Sequence, residues 1–193
     1  MRRRTAMMAG AIAAATLASA ALPLAHVLVW NTTASVPTGL YRIESADDLR
    51  IGDRVAIAPP PALRTLLAER GYLPAGVPLL KELAALQGQT VCRAGLAITI
   101  DGVPRALARE HDRLGRALPV WAGCRTLQAD EIFVLNASTP DSFDGRYFGP
   151  LARHAVIGRA LPVWTDEAGN GARVWLAKPT LRLPPPRNRG EDQ

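Results

Sequence analysis

Residues 31–41 read NTTASVPTGLY and begin where a long apolar segment ends. Pro37 and Gly39 follow Ser35 closely, and this composition is typical of a turn that exposes a hydroxyl group. The turn would lie just outside a membrane, which makes Ser35 a candidate nucleophile. Because Ser-x-Pro-x-Gly also occurs in ordinary turns, Ser35 needs support from other parts of the chain.

The apolar segment before this turn is an uncharged run over residues 6–30, and three arginines precede it. The run covers 25 residues, enough for a helix to span a bilayer core of ~30 Å. The arginines predict a cytoplasmic N-terminus and an exported body. Residues 18–20, Ala-Ser-Ala, have the form of a signal-peptide cleavage site, but the run continues to Trp30. We expect an uncleaved inner-membrane anchor over residues 1–30, with a cleaved, soluble periplasmic form as the alternative.

The composition predicts one exported domain, residues 31–178, with a sizeable core: 48% of the 193 residues are hydrophobic. The net charge of +6 is scattered along the chain without a basic helix or an aromatic-rich basic patch, so no nucleic-acid partner is expected. Only two of the 23 basic residues are lysines, Lys81 and Lys178. Lysine can lose its proton on burial, whereas arginine effectively cannot.

The two cysteines, Cys92 and Cys124, agree with export because an oxidising compartment allows a disulfide to form. Two unpaired buried thiols are the alternative. His111 and His154 are isolated and no Cys-x-x-Cys is present, so neither a metal nor a cofactor is expected.

Short alternating segments separated by turn residues predict an all-β or β-rich domain with one or two short helices. A helix is expected over residues 62–70, a loop over 105–116, and a disordered Pro/Arg-rich tail over 179–193. Residues 79–86, LLKELAAL, favour a helix by propensity, with a strand as the alternative. The expected strands include residues 39–43 and a second strand that residues 51–57 enter through a turn. Residues 96–100 and the segment from Val103 are expected to pair through an Asp101-Gly102 hairpin turn. Further strands are expected at residues 118–121, 131–136 and 155–164.

Ser35 and Lys81 could act together in peptide-bond chemistry. A neutral lysine amine takes the serine proton as the hydroxyl attacks a carbonyl. Lysine has an unperturbed pKa of ~10.4, so the amine must be buried among apolar groups to be neutral near physiological pH. The developing oxyanion needs donors, which the Ser35 amide and the Thr33 hydroxyl could supply.

Four segments in order resemble the conserved boxes of type I signal peptidases. Residues 31–41 are similar to the serine box, with Thr33 in place of its first serine, and Gly52-Asp53-Arg54-Val55 is similar to the strand that follows. Leu80-Lys81-Glu82-Leu83 with Gly88-Gln89-Thr90-Val91 resembles the lysine box, and SFDGRYFGP, residues 142–150, resembles the last box. The resemblance implies the signal-peptidase β domain, which places Lys81 on a strand.

The resemblance is greatest to the TraF-like branch of conjugative transfer, which matures the pilin precursor and in some members joins its ends into a circle. It implies a Ser-Lys dyad with Ser35 as nucleophile and Lys81 as general base. It also implies that Ser142 holds the lysine amine, that Asp144 and Arg146 brace the site as an ion pair, and that Thr33 completes the oxyanion hole. The expected partners are a membrane-inserted pilin-like precursor and membrane lipid.

Several positions depart from the general signal-peptidase pattern. Glu82 stands where arginine is usual, Gln89 replaces an aspartate, and residues 136–138, Asn-Ala-Ser, replace Gly-Asp-Asn. These differences bear on specificity more than on the dyad. A general signal peptidase for secretory precursors and a catalytically inactive periplasmic assembly subunit are the alternative functions.

Overall fold

The computed structural model describes residues 28–177. This part of the chain is β-rich, with a nine-residue helix α1 (Pro61–Glu69), a four-residue helix α2 (Gly145–Phe148) and a 3₁₀ turn (Arg153–Ala155). The strands are β1 (Leu28–Asn31), β2 (Thr38–Glu44), β3 (Arg54–Ile57), β4 (Leu79–Ala85), β5 (Thr90–Ala94), β6 (Ala97–Ile100), β7 (Val103–Leu107), β8 (Gly123–Thr126), β9 (Glu131–Val134), β10 (Leu151–Ala152), β11 (Val156–Asp166) and β12 (Val174–Trp175).

Two sheets organise these strands. The larger has the order β1-β2-β11-β3-β4-β9-β10, with β12 added to β11, and the smaller has the order β7-β6-β5-β8. All pairs are antiparallel. Strand β4 lies between β3 and β9 in the larger sheet, and Lys81 is the register partner of Val55. The larger sheet therefore carries Lys81 near its centre.

Gly39 allows β2 and β11 to lie close together where the Ser35 turn enters the sheet. Its φ is +135°, and a Cβ there would lie 2.2 Å from the Trp164 carbonyl oxygen. A side chain cannot be accommodated at that distance, so this glycine is required by the approach of the two backbones.

Of the four apolar clusters within residues 28–177, the three largest fill the interior. One packs α1 onto the larger sheet and includes Leu67, Leu83 and Ile132. A second joins the larger sheet to the smaller through Phe133, Val91 and Ile98. The third, Val36, Tyr41, Ala56, Leu80 and Ala160, lies beneath the Ser35 turn.

The smaller sheet contains the disulfide. Cys92 on β5 and Cys124 on β8 are register partners, and their sulfurs are bonded at 2.08 Å. The prediction of a disulfide is therefore confirmed over the alternative of two free thiols.

The structure confirms the β-rich class and most of the predicted elements. The helix indicated by propensity over residues 79–86 is wrong: these residues form strand β4, whose burial on both sheet faces outweighs helix propensity. The strand at residues 118–121 is also wrong. Pro119 has no N–H to donate to a ladder, Val120 is 72% exposed, and the Trp121 indole donates instead to the Gly145 carbonyl at 2.9 Å. The predicted loop begins later than residue 105, because β7 continues to Leu107.

The predicted anchor and tail fall almost entirely outside the described residues. Only residues 28–30 of the expected membrane segment are described, and they belong to strand β1, paired with β2. Within residues 28–177 no helix is long and apolar enough to cross a membrane.

Candidate active site

Lys81 is a lysine held inside the protein. Its side chain is 2% exposed, and its Nζ donates to the Ser142 Oγ at 3.0 Å. Burial lowers the pKa of the amine from its ordinary 10.5 to about 8; the Asp144 carboxylate opposes this shift and the Arg146 guanidinium adds to it. A substantial fraction of the amine is thus neutral near physiological pH, as a general base requires.

Asp144 and Arg146 form a buried, two-pronged ion pair beside this lysine. Arg146 donates through Nε to Asp144 Oδ1 at 2.9 Å and through Nη2 to Oδ2 at 2.8 Å, and both residues are at most 1% exposed. Arg146 also donates to the carbonyls of Thr139 and Pro140 at 2.7 and 3.2 Å. Each guanidinium nitrogen of Arg146 therefore donates to an acceptor. Through the bonds to these two carbonyls, the ion pair holds the turn that leads into Ser142.

The pair is positioned by the short helix α2. Asp144 caps the helix by accepting from the Arg146 backbone N–H at 3.1 Å. Gly145 lies between them against strand β9: a Cβ there would be 2.5 Å from the Val134 carbonyl oxygen and 2.6 Å from a ring carbon of Phe133. A glycine at this position therefore lets the Asp144–Arg146 pair seat directly against β9.

The Ser35 turn is organised by Asn31, which is 5% exposed. The Asn31 amide donates to the carbonyls of Thr33, Val36 and Pro37 at 2.8–3.1 Å. Its Oδ1 accepts from both the backbone N–H and the hydroxyl of Thr33, at 3.1 and 2.9 Å. The Thr33 hydroxyl would have to rotate away from Asn31 in order to donate to an oxyanion.

Asn136 joins the Ser35 turn to the rest of the site. Its side-chain amide donates to the Ser35 carbonyl, and its Oδ1 accepts from the Glu82 N–H at 2.8 Å. Its backbone N–H donates to Asp144 Oδ2 at 3.0 Å. This single residue, 1% exposed, therefore contacts the turn, the strand of Lys81 and the buried ion pair.

We call the buried set Lys81, Asn136, Ser142, Asp144 and Arg146 the polar centre. Lys81 and the half-buried Ser35 line one cleft of about 890 Å³. Within residues 28–177 the Ser35 hydroxyl makes no hydrogen bond, so no direct bond joins it to Lys81.

The structure thus brings the six predicted site residues, Ser35, Lys81, Asp144, Thr33, Ser142 and Arg146, around one cleft or its immediate support. Sequence reasoning missed the organising contacts of Asn31 and Asn136. An amide directly after the most apolar strand, as Asn136 stands after 131–135, is a signal that could have indicated a buried polar role.

Comparisons with known proteins agree on one family. The family model described as signal peptidase, peptidase S26, matches residues 2–165. The conjugal transfer protein TraF of Agrobacterium tumefaciens (strain 15955) is 35% identical over 172 residues, 81% of this chain and 94% of that protein. The plasmid transfer protein TraF of Escherichia coli is 32% identical over 154 residues, 75% of this chain and 86% of that protein.

Among solved structures, a signal peptidase I from Enterococcus faecalis V583 is similar with 21% identity and a TM-score of 0.35, covering 60% of this chain and 98% of that one. The family model and the relatives settle the affiliation. This chain belongs to the S26 family of signal peptidases, as a TraF-like member.

Proposed function

We propose that this protein is a membrane-bound serine endopeptidase that processes a pilin-like precursor for conjugative transfer, with Ser35 as nucleophile and Lys81 as general base. The observation that carries the proposal is the state of Lys81. Its amine is almost fully buried, its pKa is about 8, and it lies in the cleft that Ser35 lines.

In the proposed reaction the neutral Lys81 amine takes the proton of the Ser35 hydroxyl as Oγ attacks the carbonyl carbon of the scissile bond. The ammonium then gives that proton to the leaving amine, and the C–N bond breaks to leave an acyl-enzyme ester on Ser35. Water attacks the ester to release a linear product. If the free amino terminus of the same chain attacks instead, the product is a circle.

The other residues would support these steps. Ser142 accepts from Nζ and so orients the amine toward the cleft. Asp144 opposes part of the effect of burial on the Lys81 pKa, and Arg146 holds Asp144 in place. The Ser35 amide and the Thr33 hydroxyl would donate to the oxyanion.

The substrate class in the proposal is supported by the TraF names of the relatives, which are described as plasmid or conjugal transfer proteins. The membrane location is supported by the arginines and apolar run before residue 31 and by the cross-strand disulfide, which suits an oxidising periplasm.

A surface aromatic cluster that includes Trp30, the last residue of the apolar run, also supports a domain close to lipid. Trp164 stacks on Trp175 with ring centroids 5.7 Å apart and lies 6.3 Å from Trp30. The Arg173 guanidinium lies over Trp30 and Trp164. Trp30 and Trp175 are 50% and 69% exposed. Tryptophans with half-exposed rings favour the membrane–water interface.

The test is co-expression of the full chain with candidate pilin precursors, followed by mass spectrometry of the products. We expect a shortened precursor, and a mass lower by one water than the linear fragment wherever cyclisation occurs. Ser35→Ala and Lys81→Ala should each abolish the product.

The same experiment separates the alternatives. Cleavage of secretory precursors in preference to pilin precursors would indicate a general signal peptidase. Unchanged processing by the Ser35→Ala variant would refute the mechanism and support an inactive assembly subunit. Protease accessibility in spheroplasts tests the location: the body should be digested, and protection from protease would contradict a periplasmic domain.

A further inference from the structure

One wall of the cleft is strongly basic. Residues 108–118, which we call the arginine loop, contribute Arg109, Arg113 and Arg116 to the cleft lining, and Arg70 at the end of α1 also lines it. Glu110 belongs to this loop but not to the cleft lining. The carboxylates in the described cleft lining are Asp112 and Asp141, so four arginines face two aspartates there. The wall carries an excess of positive charge even when the Lys81 amine is neutral.

The arginine loop is fixed in place from both sides. The Arg70 guanidinium donates to the Ala117 carbonyl at 2.8 Å, and Arg116 donates to the Arg70 carbonyl at 3.1 Å. On the other side the Arg109 N–H donates to the Tyr147 hydroxyl at 3.1 Å. Because hydrogen bonds hold the loop on both sides, the fold fixes the position of this positively charged wall.

The existing ion pairs neutralise only part of the positive charge on this wall. Arg109 and Arg113 share the single carboxylate of Asp141, at 2.9 and 2.6 Å. Their side chains are 54% and 80% exposed, so both are accessible to a ligand in the cleft. Arg116 is paired separately with Asp112 at 2.7 Å. One more carboxylate beside Arg109 and Arg113 would balance the two guanidiniums.

The rest of the cleft suits a peptide. Apolar side chains also line the cleft, among them Val29, Leu73 and Val77. A segment with small or apolar residues at the scissile bond and a carboxylate a few residues away would match both the lining and the charge.

We propose that the arginine loop binds a carboxylate of the peptide substrate, either an acidic side chain or a free carboxyl terminus close to the scissile bond. The inference rests on the proposed peptidase function. Guanidinium groups bind carboxylates through paired hydrogen bonds, and complementary charge favours the correct substrate over neutral and basic ones.

The first test measures binding without cleavage. The full chain carrying Ser35→Ala, in detergent, is titrated calorimetrically with matched decapeptides of alanine, leucine and serine. In the first kind of pair, one peptide has Glu and the other has Gln at the same position, and each position is tested in turn. In the second kind, one peptide has a free C-terminus and the other an amidated C-terminus. We expect the acidic member of one pair to bind about fivefold more tightly at low salt, with the advantage reduced at high salt.

The kind of pair whose two members differ in affinity shows whether the bound carboxylate is a side chain or the C-terminus. Affinities equal within about twofold in both pairs would overturn the inference. Cleavage of the same peptides by the wild-type chain is scored separately. Cleavage without an acid preference in binding refutes only this inference, whereas an acid preference without cleavage of any peptide or precursor refutes only the peptidase function.

A charge reversal distinguishes direct contact from a structural role. In the Arg109→Glu/Arg113→Glu double variant the preference should invert, so that a lysine-containing decapeptide binds more tightly than its Glu counterpart. The control is Arg64→Glu, an exposed arginine on α1 outside the described cleft lining, which should keep the wild-type preference. A folded double variant, checked by circular dichroism, that retains the preference for Glu would overturn the inference. If the double variant does not fold, the single variant Arg113→Gln is tested instead. It should lower the ratio of the affinities for the Glu and Gln peptides by about twofold, and an unchanged ratio would count against the proposal.

Discussion

The polar centre and the smaller sheet show two different ways of holding a region of this protein together. The polar centre buries an amine, a carboxylate and a guanidinium, each at most 2% exposed. The smaller sheet packs Val91, Ile98 and Ile100 against the larger sheet and is closed by the Cys92–Cys124 bond.

The two regions should therefore contribute differently to reaction rate and to stability. Burying charges costs free energy that their pairing only partly returns, whereas apolar burial and a disulfide stabilise a fold directly. We therefore expect substitutions in the polar centre to affect both reaction rate and stability, and the loss of the disulfide to affect mainly stability. Variants in the two regions test this contrast.

Asp144→Asn should have the largest effect on stability. It leaves the Arg146 guanidinium buried without its anionic partner, and breaking such a pair costs about 3–5 kcal/mol of unfolding free energy. Urea denaturation measures this cost. The matched control is Asp48→Asn in an exposed pair with Arg50, whose side chains are 85% and 75% exposed; it should change stability by less than about 0.5 kcal/mol. Similar values for the two variants would contradict the prediction.

Loss of the disulfide should be next. The bond closes a segment with a sequence separation of 32, and the Cys92→Ser/Cys124→Ser variant should lose about 3–4 kcal/mol of unfolding free energy. Because Lys81 lies outside the smaller sheet, the pH at which activity is half-maximal should stay near that of the wild type. A shift in that midpoint by a whole pH unit would show that the two regions are coupled.

The pH dependence of the rate reports on Lys81. Below its pKa of about 8 the amine is protonated and cannot act as a base, so kcat/KM should rise about 50-fold from pH 6 to pH 8 and then level off. A rate that is constant from pH 5 to 9 would refute the role of Lys81.

The free energy of unfolding should also depend on the protonation of the Lys81 amine. The pKa of Lys81 is lower in the folded chain, about 8, than its ordinary 10.5, so between these values the unfolded chain binds more protons. Unfolding free energy therefore rises with pH across this window. Lys81→Met should lack this component of the rise; an identical pH profile in the variant would contradict the assignment.

Asn136→Ala should have the smallest of these effects. The Ser35 carbonyl loses the Asn136 amide donor, so the turn should position its hydroxyl less well and kcat should fall about tenfold with little change in KM. The midpoint of the pH profile should stay at its wild-type value, since the backbone bond from Asn136 to Asp144 is retained. The control is Asn170→Ala in an exposed turn. Full activity of Asn136→Ala would show that the contact is dispensable.

The fold was predictable from sequence wherever short patterns decide it. The Asp101-Gly102 turn between alternating segments predicted the β6–β7 hairpin, and leucine spacing in residues 62–70 predicted α1. Propensity failed at residues 79–85 because a strand buried on both faces has no alternating pattern to distinguish it from a helix. There the family resemblance, through the lysine box, gave the correct strand.

The candidate site was predictable in its charged residues but not in its connections. Ser142, Asp144 and Arg146 lie within five residues of one another, so one motif contains them. The contact between Asn136 and Ser35 joins positions 101 residues apart. Asn136 follows β9 and Ser35 precedes β2, so only the folded sheet brings them together. The arginine loop was missed for a different reason: Arg109, Arg113 and Arg116 lie close together in sequence, but only the fold shows that this segment lines the cleft.

Gly145 has a consequence for how this family can vary. With the Val134 carbonyl 2.5 Å from where a Cβ would be, every substitution at this position must push helix α2 away from β9. In a saturation library selected for activity, position 145 should therefore tolerate almost nothing, although the glycine itself has no side chain to take part in the reaction. A relative with a serine there would need a wider gap between the end of β9 and α2 and a smaller side chain in place of Phe133, so substitutions at residues 133 and 145 should occur together.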